Sequence, residues 1–260
     1  MPKLKDMLWN WGHLEGSHNK ICGLDCKMTP EEFAKEYEIP NAFIVSYGGN
    51  ITPPFDALAK RFSGLKEVVW SVLGDASTPL PDDRLGNTND ILKVTSEVSS
   101  ITGGVVDDFF SPERMERFTP EVLMEIKNAL NKNGLEFWCV LYAHQLDEEL
   151  EKYLECFDGI TFWLWESEKI NDIEKYYEKF FELAKDKKVM PGIYLWEYSL
   201  EKPTPIDSSL FEKQLKYCFE LMRQKKTSGT VFCSSTIGDA ELDVNRILKE
   251  YIRKYGDEEF

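Results

Sequence analysis

Five acidic residues follow short apolar runs at positions suited to proton-transfer chemistry. Asp75 ends the run 'VVWSVLGD', Glu166 follows 'TFWLW', Glu197 follows 'IYLW', and Asp107 and Asp108 stand side by side after 'GGVV'. Two carboxyl groups whose pKa values differ can divide the roles of acid and base between them. We therefore predict Asp107, Asp108, Glu166 and Glu197 as catalytic residues and Asp75 as a substrate-binding residue.

The segment 'GGVVDDFFS' is the most informative of these. Gly103 and Gly104 lack side chains to pack, which indicates close approach of a neighbouring element. Because side chains alternate along a strand, we expect only one of Asp107 and Asp108 to point into the interior, with the other binding a loop backbone or an adjacent strand. A third carboxylate nearby would raise a pKa, as a general acid requires. The alternative is that one or both only cap a turn.

Glu166 and Glu197 each follow directly on an aromatic run. Charged residues beside buried aromatic runs are usually paired or used in function. We expect both to face the paired aspartates across a cleft. The alternative is a salt bridge to a nearby lysine such as Lys169 or Lys202.

Aromatic residues and histidines stand near the ends of the same runs, and all seven tryptophans lie within such runs. Aromatic rings stack on the C–H faces of sugars, while carboxylates bind hydroxyls. The residues predicted to bind substrate are Trp11, His13, Tyr47, Asp75, Tyr142, His144, Trp165 and Tyr198. For the aromatic residues the alternative is core packing, and for the histidines it is a structural hydrogen bond.

Eight runs of strand character recur about every thirty residues, the usual size of a strand-helix unit. They cover residues 7–12, 42–47, 67–73, 101–108, 136–142, 160–165, 190–196 and 230–234. Helical patterns separate them at residues 30–37, 54–62, 89–99, 120–131, 147–156, 170–185, 209–225 and 240–255. At the first of these, Thr29, Pro30 and Glu32 form a helix-capping pattern.

Strand and helix thus alternate eight times, and the longer connections follow the strands. The sequence predicts an α/β fold, a single (β/α)8 TIM barrel over residues 1–260, with its active site at the C-terminal ends of the strands. A doubly wound sheet is the alternative, but the first run is not followed by the glycine-rich phosphate loop typical of that fold.

Composition limits the partners. The formal net charge of -15 opposes nucleic-acid binding, which depends on clustered Lys and Arg. No apolar stretch approaches the ~20 residues of a membrane span. The start of the chain lacks the pattern of a secretory signal, so we expect a cytosolic protein. We expect no cofactor and no metal, a carbohydrate as substrate, and the sequence does not indicate the oligomeric state.

Cys22 and Cys26 share a loop at C-x3-C spacing, which suits a disulfide or half of a metal site. No second Cys/His pair at metal-site spacing follows. The other cysteines are expected to be buried free thiols; they are Cys139, Cys156, Cys218 and Cys233.

With carboxylates and aromatic rings at strand ends, the chain resembles the TIM-barrel glycoside hydrolases over its whole length. One broad group of them has its acid/base after strand four and its nucleophile after strand seven, which implies Asp107 or Asp108 together with Glu197. Another group uses a strand-four aspartate as nucleophile and a strand-six acid, which implies Glu166 as the partner. The Asn-Glu pair of many strand-four/strand-seven enzymes is replaced here by 'VVDD', and the spaced acids of chitinase-like barrels are missing.

The leading hypothesis is a glycosidase that uses paired carboxylates. One alternative is a metal-dependent sugar isomerase or epimerase, with ligands from Asp75, Asp107, Glu166, Glu197 and His144. The other is a carbohydrate-binding barrel without catalysis.

Overall fold

Parallel strands close into a barrel in the computed structural model, which describes residues 3–259. Within that range the strands are β1 (Leu8–Gly12), β2 (Asn41–Ile44), β3 (Glu67–Leu73), β4 (Ile101–Val106), β5 (Glu136–Tyr142), β6 (Gly159–Trp163), β7 (Lys188–Tyr194), β8 (Trp196–Glu197), β9 (Thr204–Pro205) and β10 (Thr230–Cys233). Strands β1 to β7 pair in chain order, and β10 closes the barrel between β7 and β1. The predicted (β/α)8 barrel is confirmed, and the doubly wound sheet is excluded.

Helices pack around the barrel. In the described residues they are α1 (Asn19–Cys22), α2 (Pro30–Tyr37), α3 (Asp56–Arg61), α4 (Thr88–Thr95), α5 (Pro112–Arg117), α6 (Pro120–Lys132), α7 (Glu151–Leu154), α8 (Ile173–Ala184), α9 (Ser208–Arg223) and α10 (Asp243–Tyr255). The predicted capping box of α2 is confirmed, because Glu32 N donates to Thr29 Oγ1 and Thr29 N donates to a Glu32 carboxylate oxygen. None of the helices between residues 3 and 259 has the length and apolar character that crossing a membrane requires.

Tryptophans fill much of the barrel interior. Trp138 and Trp163 point inward, and each lies over a glycine of the next strand. A Cβ at Gly159 would stand 2.3 Å from Trp138, and one at Gly192 would stand 2.0 Å from Trp163. Since no side chain fits at such distances, these glycines make room for the indoles.

Two strands end earlier than the sequence pattern predicts. The run at residues 190–196 splits, because β7 ends at Tyr194 and β8 pairs antiparallel with β9 in a separate small sheet. The run at 101–108 stops at Val106, and Asp108 has a backbone φ of 45°. An extended strand cannot continue through that left-handed conformation.

Candidate active site

A pocket of about 250 Å³ opens at the C-terminal ends of the strands. Small-molecule pockets commonly measure ~300–1,000 Å³, so this one suits a small ligand. It is lined by Trp11, His13, His18, Ile21, Tyr47, Asp75, Asp107, Asp108, Val140, Tyr142, Trp163, Trp165, Tyr194, Tyr198 and Cys233. Nine of the residues predicted from sequence are among them; they are Trp11, His13, Tyr47, Asp75, Asp107, Asp108, Tyr142, Trp165 and Tyr198.

Asp107 is the most buried acid of the pocket, with 5% of its surface exposed. Its backbone N–H donates to Leu73 O across the end of β3, and its Oδ1 accepts a 2.9 Å hydrogen bond from Asp108 N. Burial raises the pKa of Asp107 well above its usual value, and the nearby carboxyl groups of Asp108 and Asp75 raise it further. Asp107 is therefore biased towards the protonated, proton-donating form.

Asp108 also lines the pocket, so the expectation that only one of the adjacent aspartates would face the interior was wrong. The alternation rule fails because the strand ends at Val106 and the positive φ of Asp108 redirects its side chain. Asp108 Oδ1 accepts a 2.6 Å hydrogen bond from the Tyr142 hydroxyl, and Oδ2 accepts one of 2.9 Å from Ala76 N. The carboxyl group is thus held between the ends of β5 and β3.

The surroundings of Asp75 shift its pKa in the opposite direction from that of Asp107. Burial raises its pKa, but hydrogen bonds from the Ser77 and Thr78 hydroxyls and from Gly48 N outweigh burial, and the pKa lies below its usual value. Its Oδ1 accepts from Gly48 N at 3.0 Å and from Thr78 Oγ1 at 2.5 Å. Asp75 therefore remains ionised and ties the loops after β2 and β3 together.

Arg114 lies behind the acids on α5 and was not predicted. It is buried, and its Nη1 donates to Gly74 O at 2.8 Å and to Asp107 O, while its Nη2 donates to Asp75 O. The segment 'SPER', with Ser111 as helix cap and Pro112 at the first position, is the sequence signal that could have identified this helix. The guanidinium joins the ends of β3 and β4 without lining the pocket.

Two histidines form the side of the pocket contributed by the loop after β1. The Nδ1 of His13 lies 3.0 Å from Val45 O, so this nitrogen carries the proton and donates. His18 Nδ1 lies 2.8 Å from the Tyr198 hydroxyl. Burial lowers the pKa of His13, and burial together with His13 lowers the pKa of His18 well below its usual value. Both rings are therefore neutral near pH 7.

His18 was missed from sequence because it lies inside a loop rather than at a strand end. Trp163 and Tyr194 were missed as well, although a signal existed for Trp163. It stands two residues before Trp165, and alternation along a strand places such residues on one face. Ile21, Val140 and Cys233 complete the unpredicted lining.

The aromatic rings of the pocket surround Trp165. Its ring centroid lies 6.0 Å from that of Tyr142 at an interplanar angle of 80°, and 5.6 Å from that of Tyr194 at 86°. Tyr198 lies 6.2 Å away at 21°. Burial raises the pKa of all three tyrosines well above the usual value, so their hydroxyls remain protonated.

Three predicted residues do not line the pocket. Glu197 is buried, and its carboxylate accepts hydrogen bonds from Ser167 N, Ser199 N and the Ser199 hydroxyl. Glu166 forms a 2.6 Å salt bridge with Lys169, the alternative already considered from sequence. His144 is exposed, and its ring stacks on that of Tyr142 at 5.5 Å and 7°. Glu197 thus connects the loops after β6 and β7, while the pocket acids come from β3 and β4.

Cys22 and Cys26 are free thiols, as are the other cysteines of the described chain. Burial raises the pKa of Cys22 to about 11 and that of Cys26 to about 12. Across residues 3–259 no group of three or more His, Cys, Asp and Glu side chains is arranged to hold a metal ion. The C-x3-C loop therefore forms neither a disulfide nor a metal site in this structure.

Comparison with known proteins identifies the fold. No protein-family model matches the sequence, and no curated protein matches it either. The structure is similar to the spore cortex-lytic enzyme SleL of Bacillus megaterium, with a TM-score of 0.60 and 12% identity over 95% of this chain and 74% of that one. It is also similar to the intracellular xylanase TsXylA of Thermoanaerobacterium saccharolyticum, with a TM-score of 0.59 and 11% identity over 94% and 92% of the two chains.

A third similar structure is the xylanase-A-amylase inhibitor protein XAIP-III, with a TM-score of 0.61 and 12% identity over 96% of this chain and 98% of that one. At such identities the likeness shows the fold alone. The predicted resemblance to TIM-barrel glycoside hydrolases is confirmed at the level of architecture.

Proposed function

We propose that this protein is a glycoside hydrolase-like enzyme whose catalytic carboxyl groups belong to Asp107 and Asp108. One observation carries the proposal. Asp107 is buried beside the carboxyl groups of Asp108 and Asp75, which raises its pKa, and Asp108 lies next to it in the same aromatic pocket with its carboxyl group held by Tyr142 and Ala76. A carboxyl group that is kept protonated beside a second carboxyl group can donate a proton while its neighbour acts as nucleophile or base.

In the proposed reaction Asp107 donates its proton to the glycosidic oxygen as the bond to the leaving group breaks. Asp108 is the second carboxylate, which attacks the anomeric carbon or removes a proton from an attacking water. The hydrogen bonds from Tyr142 and Ala76 keep Asp108 oriented during this step. All the oxygens of Asp75 accept hydrogen bonds from its own loop or the neighbouring one, so we assign it to positioning that wall.

Recognition is assigned to the aromatic residues. The rings of Trp165 and Tyr198 are half-buried and lie on the pocket wall, where an apolar sugar face can stack. The similar structures include proteins named as a cortex-lytic enzyme and a xylanase, which supports carbohydrate as the substrate class. Because another similar structure is named as an inhibitor, the proposal depends on the site and not on the fold.

The test is hydrolysis of a panel of aryl glycosides and natural oligosaccharides, with and without EDTA. We expect the protein to hydrolyse at least one substrate at a rate that EDTA does not affect. That rate should fall by about a hundredfold to ten-thousandfold in Asp107→Asn and in Asp108→Asn. Glu166→Gln is the matched control, because it removes a carboxylate at the same end of the barrel but outside the pocket.

Absence of release from every substrate, or aspartate variants as active as the wild type, would contradict the proposal. Saturable sugar binding without turnover would then favour the binding barrel. Interconversion of free sugars that EDTA abolishes would favour the metal-dependent isomerase or epimerase.

A further inference from the structure

The Asp, Glu, Lys and Arg residues that line the pocket in the described chain are all aspartates, of which Asp107 is biased towards the protonated form. Three aspartates face it, and no Lys or Arg occurs among the lining residues of the described chain. Arg114 lies close behind, but its guanidinium is bound by backbone carbonyls of Gly74, Asp75 and Asp107. A ligand in the pocket therefore meets carboxyl groups without a facing cation.

The two histidines do not offset this charge. The His13 ring donates to a backbone carbonyl, and its centroid lies 4.8 Å from that of His18. Two buried imidazoles this close disfavour protonation of either one. The formal net charge of -15 for the whole chain adds an attractive field for cations.

Aromatic rings line the same pocket as the acids. The ring centroids of Tyr142, Tyr194 and Tyr198 lie 5.6–6.2 Å from that of Trp165, two of them at nearly right angles to its plane and one nearly parallel to it. The negative face of an aromatic ring attracts an ammonium group, most strongly where water is excluded. Rings and carboxylates in one small space are the combination that binds an organic cation.

We infer that the pocket selects a sugar residue that carries a protonated primary amine over its neutral, N-acylated or acidic counterparts. This inference rests on the proposed function in taking the pocket as the sugar site. A uronic acid would bring a fourth carboxyl group to Asp75, Asp107 and Asp108, and an N-acyl group would replace the cation with a neutral amide. The small volume of about 250 Å³ means that the selection acts on one sugar residue.

The test is calorimetric binding of methyl glycosides in matched sets with gluco, galacto and manno configuration. Each set contains the amino sugar, its neutral parent, its N-acetyl derivative and the uronic acid. At a pH below the pKa of the sugar amine, we expect the amino member of at least one set to bind about tenfold or more tightly than the others. The preference should disappear above the pKa of that amine. Neutral members that bind as tightly as amino members in every set, or no binding by any amino member, would overturn the inference.

Variants identify the groups responsible. Asp108→Asn should bring the ratio of amine to neutral affinity close to one, whereas Glu166→Gln should leave it unchanged because Glu166 pairs with Lys169 outside the pocket. An equal loss in both variants would show a long-range charge effect and would overturn the assignment to the pocket. If Asp108→Asn does not fold, Trp165→Leu removes a ring without changing charge and should lower the same ratio.

Binding and hydrolysis separate the two proposals. Tight binding of an amino sugar without hydrolysis of any of its aryl glycosides would support the ligand class and contradict the hydrolase. Hydrolysis of neutral glycosides by Asp107 and Asp108, without preference for the amine, would support the hydrolase and overturn the ligand class.

Discussion

The hydroxyl of Tyr142 donates a 2.6 Å hydrogen bond to Oδ1 of Asp108. The bond joins the end of β5 to the turn after β4, and Ala76 N holds the other oxygen from the end of β3. Burial raises the pKa of Tyr142 well above its usual value, so the phenol remains a donor. Three neighbouring strand ends therefore fix the direction of one carboxyl group.

Removal of that donor provides a direct test. In Tyr142→Phe we expect kcat/KM to fall about tenfold to a hundredfold, because a hydrogen bond to a charged group contributes roughly 1.5–3 kcal/mol. The matched control is Tyr217→Phe, which removes a phenol hydroxyl from α9, outside the pocket. Equal losses in the two variants would show that the Asp108 contact has no special role.

The raised pKa of Asp107 predicts the direction of the pH profile. A general acid must be protonated, so activity should fall as the pH rises through the pKa of Asp107, which burial and the carboxyl groups of Asp108 and Asp75 raise well above its usual value. The alkaline limb of kcat/KM against pH should be absent from the residual activity of Asp107→Asn. A limb that persists in the variant would assign it to another group.

The same shift has a stability consequence. A carboxyl group whose pKa is raised by folding contributes stability that is fully present below its unfolded pKa, about 3.9, and is lost as the pH rises through the folded value. Asp107→Asn keeps an acceptor oxygen for Asp108 N but cannot ionise. We expect its Tm to exceed that of the wild type by roughly 2 °C or more near pH 8, and by less near pH 5.

Glu166 provides a control of opposite sign for that measurement. Burial raises its pKa, but the salt bridge to Lys169 outweighs burial and the pKa is lowered. The stability that the Glu166 carboxylate contributes is therefore present above its pKa in the unfolded chain, and it is lost as the pH falls through its pKa in the folded protein. Glu166→Gln should therefore be slightly less stable than the wild type near neutral pH. A gain in Tm in both variants would point to relief of overall negative charge.

Arg114 is predicted to hold the acid side of the pocket together. Arg114→Met leaves the carbonyls of Gly74 and Asp107 without their side-chain donor and leaves Asp75 O with only its bond from Thr78 N, and each buried carbonyl left unpaired costs about 1–3 kcal/mol. We expect the unfolding free energy, measured by urea denaturation, to fall by roughly 3 kcal/mol or more. Arg84→Met is the control; its exposed salt bridge to Glu125 should contribute about 1 kcal/mol or less.

Gly192, which lies against the Trp163 ring, allows a prediction about packing. A Cβ at residue 192 would stand 2.0 Å from the Trp163 ring, so Gly192→Ala should lower stability by at least ~1–3 kcal/mol in urea denaturation. Gly64→Ala places its methyl group in open space at an ordinary φ and should be neutral or slightly stabilising. Equal stability of the two variants would show that the indole can shift without cost.

The barrel could be predicted from sequence because the signals for its strands and helices lie within short stretches of the chain. Each strand is a short buried run, and residues such as Thr29 and Glu32 mark helix starts by contacts within one turn. Strand ends were harder to predict. The pattern at residues 190–196 continues past Tyr194, and only pairing of β8 with the distant β9 shows that the barrel strand has ended.

The sequence correctly predicted the pocket residues whose location depends only on their place at the end of a barrel strand. Asp107 and Trp165 follow barrel strands and line the pocket. Glu197 also follows a strand, but backbone donors of Ser167 and Ser199 hold its carboxylate away from the pocket, a contact that depends on how two loops fold. His18 belongs to a loop whose path no periodic pattern describes, so sequence position could not assign it.

The aspartates of the pocket follow β3 and β4, whereas Trp165 and Tyr198 follow β6 and β7. The pocket carboxyl groups and the rings of Trp165 and Tyr198 thus lie on separate arcs of one barrel. Changes to the aromatic arc leave the hydrogen bonds of Asp75 and Asp107 untouched. Under the proposed function, substitutions in the aromatic arc, natural or directed, could therefore change the sugar that is bound while the contacts of the aspartates are kept.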